Sequence, residues 1–251
     1  MRGKHFGPIA LAVCLAFTLC MSCARSARAV RNPAAASTPA DAAAQPAAHG
    51  APAQAMTEWK PATDRDQFFY DLSLAALERT RHAVTYDPAY VTLDYPGGDV
   101  PDNTGACADV VVRAYRALNI DLQVDVHEDM KANFKLYSKR WGLKRPDKNI
   151  DHRRVLNLMT LFSRKGKKLP ITDNPADYQP GHIVSWDLNG KGLTHIGIVT
   201  HIRSTDGKRF LLVHNIGRGP RLEDVLFDWK IIGHHTYFGA RKFDAEGNSI
   251  Q

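Results

Sequence analysis

The sequence predicts an α+β domain in which N-terminal helices pack on a C-terminal antiparallel sheet. Two observations carry this. Before Pro180 the apolar residues recur at helical spacing. After Pro180-Gly181 the period shortens to that of strands, with Asn189-Gly190 and Asp206-Gly207 as hairpin-turn signals. The chain has 251 residues, and the segment 61–245 that carries these patterns is the right size for one domain.

Residues 1–29 read as a signal peptide that directs the chain to the periplasm. Arg2 and Lys4 precede an apolar stretch from Pro8 to Leu19, too short for a comfortable membrane span, and Ala27-Arg28-Ala29 gives a small-x-small cleavage pattern. Cys23, after Leu19-Cys20-Met21-Ser22, resembles a bacterial lipoprotein acylation site. A lipid there would be the chain's one link to a membrane. Residues 30–60 read as a disordered linker: between Arg31 and Met56 there are 12 Ala and 4 Pro, too little apolar surface to offset ordering entropy. The formal charge is +7, but residues 1–29 carry four basic residues and no acid. The remaining +3 argues against nucleic acid as a partner and is compatible with an anionic envelope polymer.

Within the domain, Thr63 with Asp66 caps a first helix carrying Phe68, Leu72, Ala75 and Arg79. A second helix spans Thr104 to Asn119, with Cys107, Val110, Val111, Ala114 and Leu118 on one face. A third starts at Asp125 and carries Val126, Met130, Phe134, Tyr137 and Trp141. Val155, Leu158, Met159 and Phe162 mark a fourth, ended by Gly166. Strands are expected at His182–Leu188, Thr194–Arg203, Arg209–Ile216 and Ile231–Tyr237, with a short helix over Arg221–Lys230.

Removal of residues 1–29 leaves Cys107 as the single cysteine, so no intrachain disulfide forms. A lone thiol in an oxidising compartment is either a small core residue or a used one. Cys107 lies in the first turn of its helix, where backbone amides and the helix dipole favour a thiolate and serve an oxyanion. A nucleophilic thiol needs a base, and His195 on a strand suits that role, with Gly197 leaving room beside the imidazole. The other histidines show no metal-binding spacing, and no cofactor motif is present. Two charged clusters, His127-Glu128-Asp129 and Asp151-His152-Arg153-Arg154, read mainly as helix-start and surface groups. Arg153 or Arg154 is the candidate for gripping a substrate carboxylate.

Four blocks, Gly105–Arg116, Pro180–Trp186, Thr194–Val199 and Leu212–Asn215, resemble the ordered blocks of the NlpC/P60 cysteine peptidases. Tyr95–Pro101, Val126–Met130, Asn149–Val155 and His214–Gly217 resemble the bacterial family called domain of unknown function 1287. The resemblance spans Phe68 to Tyr237. It implies a papain-like fold, with Cys107 as nucleophile, His195 as base, His214 as orienting residue and Tyr95 shaping an oxyanion site. The peptidases usually have Asp-Cys-Ser-Gly where this chain has Ala106-Cys107-Ala108-Asp109, so Asp109 is expected to alter substrate polarity or the thiol pKa.

These features imply a monomeric thiol hydrolase acting on amide bonds of cell-wall peptides. The rival is a non-catalytic envelope-binding domain of the same fold. Strand geometry leaves the orienting residue open. With Asp206-Gly207 as a two-residue turn, His214 faces Val199, roughly 13 Å from His195 along the sheet unless a bulge intervenes. A five-residue loop, Asn189–Leu193, instead sets Asp187 opposite His195. The linker reading has a direct check: deleting residues 30–56 should leave the melting temperature unchanged within about 2 °C, since on the order of 1 kcal/mol shifts a domain of this size by a few degrees.

Overall fold

The computed structural model describes residues 59–250; the signal-peptide reading, and the linker reading apart from Trp59 and Lys60, lie outside the described residues. Trp59 stacks on Tyr70 with ring centroids 5.8 Å apart, so the folded segment already includes it. Among the described residues no helix is long and apolar enough to cross a membrane.

Helix α1 (Asp64–Arg79) begins where expected, with the Thr63 hydroxyl accepting from the Asp66 amide at 3.1 Å. Short strands β1 (Thr85–Tyr86) and β2 (Thr104–Gly105) pair in parallel and lead into α2 (Cys107–Ala117). Helix α3 spans Leu122–Asn133. It starts earlier than predicted because Asp121 caps it, accepting from the Gln123 amide at 2.9 Å. It also stops before Tyr137 and Trp141, which follow a 3-10 turn at Phe134–Leu136. Helix α4 (Val155–Lys165) ends at Gly166 as the sequence suggested.

A six-stranded antiparallel sheet follows. Its strands are β3 (Lys167–Lys168), β4 (Ile183–Asp187), β5 (Thr194–Arg203), β6 (Phe210–His214), β7 (Arg221–Glu223) and β8 (Lys230–Thr236), in the spatial order β3-β8-β4-β5-β6-β7. A last hairpin, β9 (Lys242–Phe243) with β10 (Ser249–Ile250), folds back on α1, where the Arg65 amide donates to Gly247 O at 2.9 Å. The domain therefore continues past residue 245.

One face of the sheet, with Ile183, Ile196, Ile198 and Val213, packs with Leu72, Val111, Tyr115, Leu158 and Phe162 of the helices. The other face, with Val184, Trp186, Val199 and Leu212, packs with Tyr178, Val225 and Leu226. The predicted helix over Arg221–Lys230 is absent. Residues 221–223 are strand β7 and the next residues form turns over the second face, where the Trp186 indole N–H donates to Leu226 O at 3.0 Å. The apolar residues at 225, 226 and 229 bury their surface on the sheet rather than along one side of a helix.

Covering both faces buries several imidazoles. Burial pushes His152 and His235 down to about 4. His182 falls to about 3 through burial and then through its neighbour His234. His195 falls to about 3 through burial and then His214. These groups stay neutral when folded but charge near about pH 6.5 when unfolded. Their contribution to stability is thus complete above that pH and is lost as pH falls toward the folded values. Chemical denaturation should show stability falling from pH 7 to pH 5, with roughly three and a half protons taken up by these four rings on unfolding at pH 5.5. A flat profile over that range would contradict the burial of these rings.

Candidate functional site

The chain from Thr104 to Ala106 is extended, and helix α2 opens at Cys107. Ala106 has no side chain able to cap the helix. Asp109, one turn in, reaches back and accepts from the Ala106 amide at 2.6 Å. Both Asp109 oxygens also receive Arg153, with Nε at 2.8 Å and the second nitrogen at 3.0 Å. Arg153 further donates to Ala89 O at 2.7 Å and Asp87 O at 3.1 Å. Both side chains are only 3% exposed. The bidentate grip expected of Arg153 is therefore internal, on Asp109. Arg154 is likewise held by Asp151 at 3.0 Å and lies over the Trp141 ring.

Asp109 does act on the thiol. Burial, and then the Asp109 charge, push Cys107 up to about 11, against amides of Ile196, Ala108 and Cys107 itself that favour its thiolate. Cys107 is 6% exposed. Ile196 lies one residue beyond the last β5–β6 pair, so its amide meets the Cys107 sulfur where β6 has ended.

The tyrosine at this sulfur is Tyr86, not Tyr95. Tyr86 sits opposite Gly105 in the β1–β2 pair and lies beside Cys107; burial and then Cys107 raise it to about 12. Tyr95 donates instead to Glu128 at 2.7 Å and packs edge-on to His127. A different loop carries it away from the helix start.

His195 Nε2 and His214 Nδ1 are 2.9 Å apart. The register explains how. Arg203 pairs with Phe210, as a simple Asp206-Gly207 hairpin requires, but a shift between Val199 and Arg203 sets His214 opposite Gly197 instead of Val199. Gly197 permits the approach: a Cβ there would stand 3.1 Å from His214 Cβ and 2.9 Å from Val213 O. Asp187 is not opposite His195. The β4–β5 loop closes between Leu188 and Leu193, so Asp187 pairs with Thr194 and Trp186 with His195. A one-residue change in loop length moves a side chain to the other face. The Asp187 carboxylate instead accepts from the Gly192 amide at 2.9 Å, holding the loop.

Two residues at this site were not foreseen. Glu223 Oε2 lies 2.8 Å from His214 Nε2, and that contact is the main cause of its lowered pKa. The Trp229 ring stands 6.0 Å from both imidazoles, while Trp186 stacks on His195 at 5.7 Å. Glu223 beside Nε2 of His214 favours a proton on that nitrogen; in that tautomer His214 Nδ1 accepts from His195 Nε2–H, and His195 Nδ1 is left with a lone pair. Other histidines are bonded elsewhere: His182 to His234 at 2.8 Å, His201 to Ser73 at 2.8 Å, His235 to Ser163 at 2.9 Å.

This mixed helix-and-sheet chain belongs to the family described as Domain of unknown function (DUF1287), whose model matches residues 73–237. It is 58% identical over 153 residues to the Escherichia coli (strain K12) protein named "Uncharacterized protein YijF", covering 61% of this chain and 74% of that one. Among solved structures it is similar to NlpC1 from Trichomonas vaginalis, with 15% identity and a TM-score of 0.35. That likeness covers 67% of this chain and spans 44% of the other's length.

The buried Asp109–Arg153 pair gives a stability prediction. Asp109→Asn leaves Arg153 buried without its counter-charge and should cost about 3–5 kcal/mol in urea denaturation. The double change Asp109→Asn with Arg153→Met should cost less than the single one, because the orphaned charge is gone. A single-variant loss below about 1 kcal/mol would mean that the guanidinium finds water instead.

Proposed function

We propose that the protein is a periplasmic thiol hydrolase that cleaves amide bonds in cell-wall peptides. The observation that carries this reading is the histidine–carboxylate array on the strand that meets the thiol. His195 is hydrogen-bonded to His214, which meets Glu223, and the residue after His195, Ile196, points its amide at the Cys107 sulfur. The order of a cysteine at a helix start, a histidine strand and a polar residue on the next strand is that of the NlpC/P60 peptidases. That resemblance supports the papain-like fold and suggests peptidoglycan peptides as the substrate.

In this mechanism both partners start neutral, since burial raises the thiol and lowers the imidazole. His195 Nδ1 takes the thiol proton as Sγ forms its bond to the carbonyl carbon. The carbonyl π electrons move to oxygen, which the Tyr86 hydroxyl and amides of the α2 start stabilise. His195 then gives its proton to the amine nitrogen as the C–N bond breaks, leaving a thioester. His195 next deprotonates a water, which attacks the thioester carbon, and the thiolate leaves and is reprotonated. His214 holds His195 in the needed tautomer, and Glu223 stabilises the cation while the proton is on the pair. The leader pattern supports export, with cell-wall peptide as partner, action as a monomer and a lipid at Cys23 as the alternative anchor.

The rival reading, a non-catalytic envelope-binding domain, draws on the 6% exposure of Cys107. Digestion of purified cell wall with the full chain, followed by mass spectrometry of new amino and carboxyl termini, separates the two. We expect new termini with the native protein and none with Cys107→Ala or His195→Ala at unchanged melting temperature. Glu223→Gln should lower kcat by roughly 10- to 100-fold with little change in KM. Wall binding without new termini would support the binding domain and remove the hydrolase.

A further inference from the structure

Beside His214 lies a cavity of about 300 Å³, lined by His214, Ile216, Arg218, Gly219, Arg221 and Glu223. One wall therefore belongs to the imidazole chain itself. The loop that forms the rest is tied to the start of α2, because the Asn215 amide group donates to Gly105 O at 3.2 Å. It is also packed against the segment leading to Tyr86: a Cβ on Gly219, whose φ is +81°, would come within 3.1 Å of Val84 O. The cavity and the thiol thus share a neighbourhood built from the same two segments.

Its charge is unbalanced. Arg218 and Arg221 are exposed, and among the described residues neither forms a direct ion pair with a carboxylate. The acid they act on is Glu223, whose carboxylate is already taken by His214. Two guanidiniums against one committed acid leave one positive charge facing the opening. Ile216, 44% exposed, adds an apolar wall next to them. A planar, doubly accepting anion on an alkyl stem matches this lining, because guanidinium forks pair with carboxylates bidentately.

We propose that this cavity is a substrate subsite in which Arg218 and Arg221 hold a free carboxylate of an amino-acid residue in the peptide, with Ile216 against its alkyl part. The inference rests on the thiol-hydrolase reading and narrows it to carboxylate-bearing peptides. It accounts for a cationic opening directly beside the histidine chain, which proton transfer alone does not require.

The test uses lysozyme-solubilised cell-wall fragments as the probe, and the same mixture after its carboxyls are converted to carboxamides with carbodiimide and ammonia. Binding is measured on the full chain carrying Cys107→Ala, so that turnover does not interfere. We expect the untreated fragments to bind and the amidated ones to bind at least about tenfold more weakly. Adding Arg218→Gln and Arg221→Gln should reduce binding of untreated fragments to the amidated level, at unchanged melting temperature, and Arg221→Lys should retain part of it. Equal binding of both mixtures, no binding of untreated fragments at millimolar concentration, or arginine dependence that survives amidation would each overturn the subsite. If the native chain cleaves both mixtures with equal kcat/KM, the subsite falls and the hydrolase stands. If binding depends on the arginines and no cleavage occurs, the hydrolase falls and the carboxylate site stands.

Discussion

His195 and His214 meet because strands β5 and β6 change register part-way along their length. At the Arg203–Phe210 end the pairing is that of a plain hairpin; past Val199 it has moved by two residues. Without the shift the two rings would lie roughly 13 Å apart along the sheet, far outside hydrogen-bond reach. With it they stand 2.9 Å apart, and Glu223, opposite Leu212 on β7, comes within 2.8 Å of His214. The absence of a side chain at Gly197 and the Trp186 and Trp229 rings around the imidazoles complete the constraint. Three groups from three strands therefore depend on one register shift between β5 and β6.

The start of α2 is set by a second, separate device. A helix that begins with alanine and cysteine has no side-chain cap of its own, so Asp109 supplies one from within the first turn. A carboxylate buried that deeply needs a counter-charge, and Arg153 provides it while binding the carbonyls of Asp87 and Ala89. The same carboxylate raises the pKa of the Cys107 thiol, whereas the helix-start amides and the Ile196 amide oppose it. Helix capping and thiol chemistry are coupled through a single side chain.

Cys107 and His195 stand out in the sequence because each combines a reactive residue type with a recognisable position, a helix start or a strand, whereas His214 rests on the family resemblance. The order of helices and strands was legible from the change in apolar period near Pro180. Choosing between His214 and Asp187 was beyond the sequence, since it turns on loop closure at Leu188–Leu193 and on a register shift with no glycine or proline to mark it. Glu223 was hidden by the helical spacing of the apolar residues after it, which in fact cover the second sheet face. Tyr86 lies on a two-residue strand and carries no local pattern; only the pairing with Gly105 brings it to the sulfur. Asp109 was noticed, but its partner Arg153 is far along the chain, and nothing local says that their charges meet.

Burial works against charge separation at this site. The thiol is held up near 11 and the His195 imidazole down near 3, so a resting thiolate–imidazolium pair is disfavoured from both ends. The surroundings nevertheless contain what such a pair would need. Amides already point at the sulfur, and Glu223 stands at the far end of the histidine chain. In the proposed hydrolysis these groups act when the proton moves, because the imidazolium formed on His195 can share its charge through His214 with the carboxylate. Charge then appears only while a carbonyl carbon is present to receive the sulfur's electrons. A thiol kept neutral and covered until that moment is also protected from the oxidation that an exposed thiolate invites.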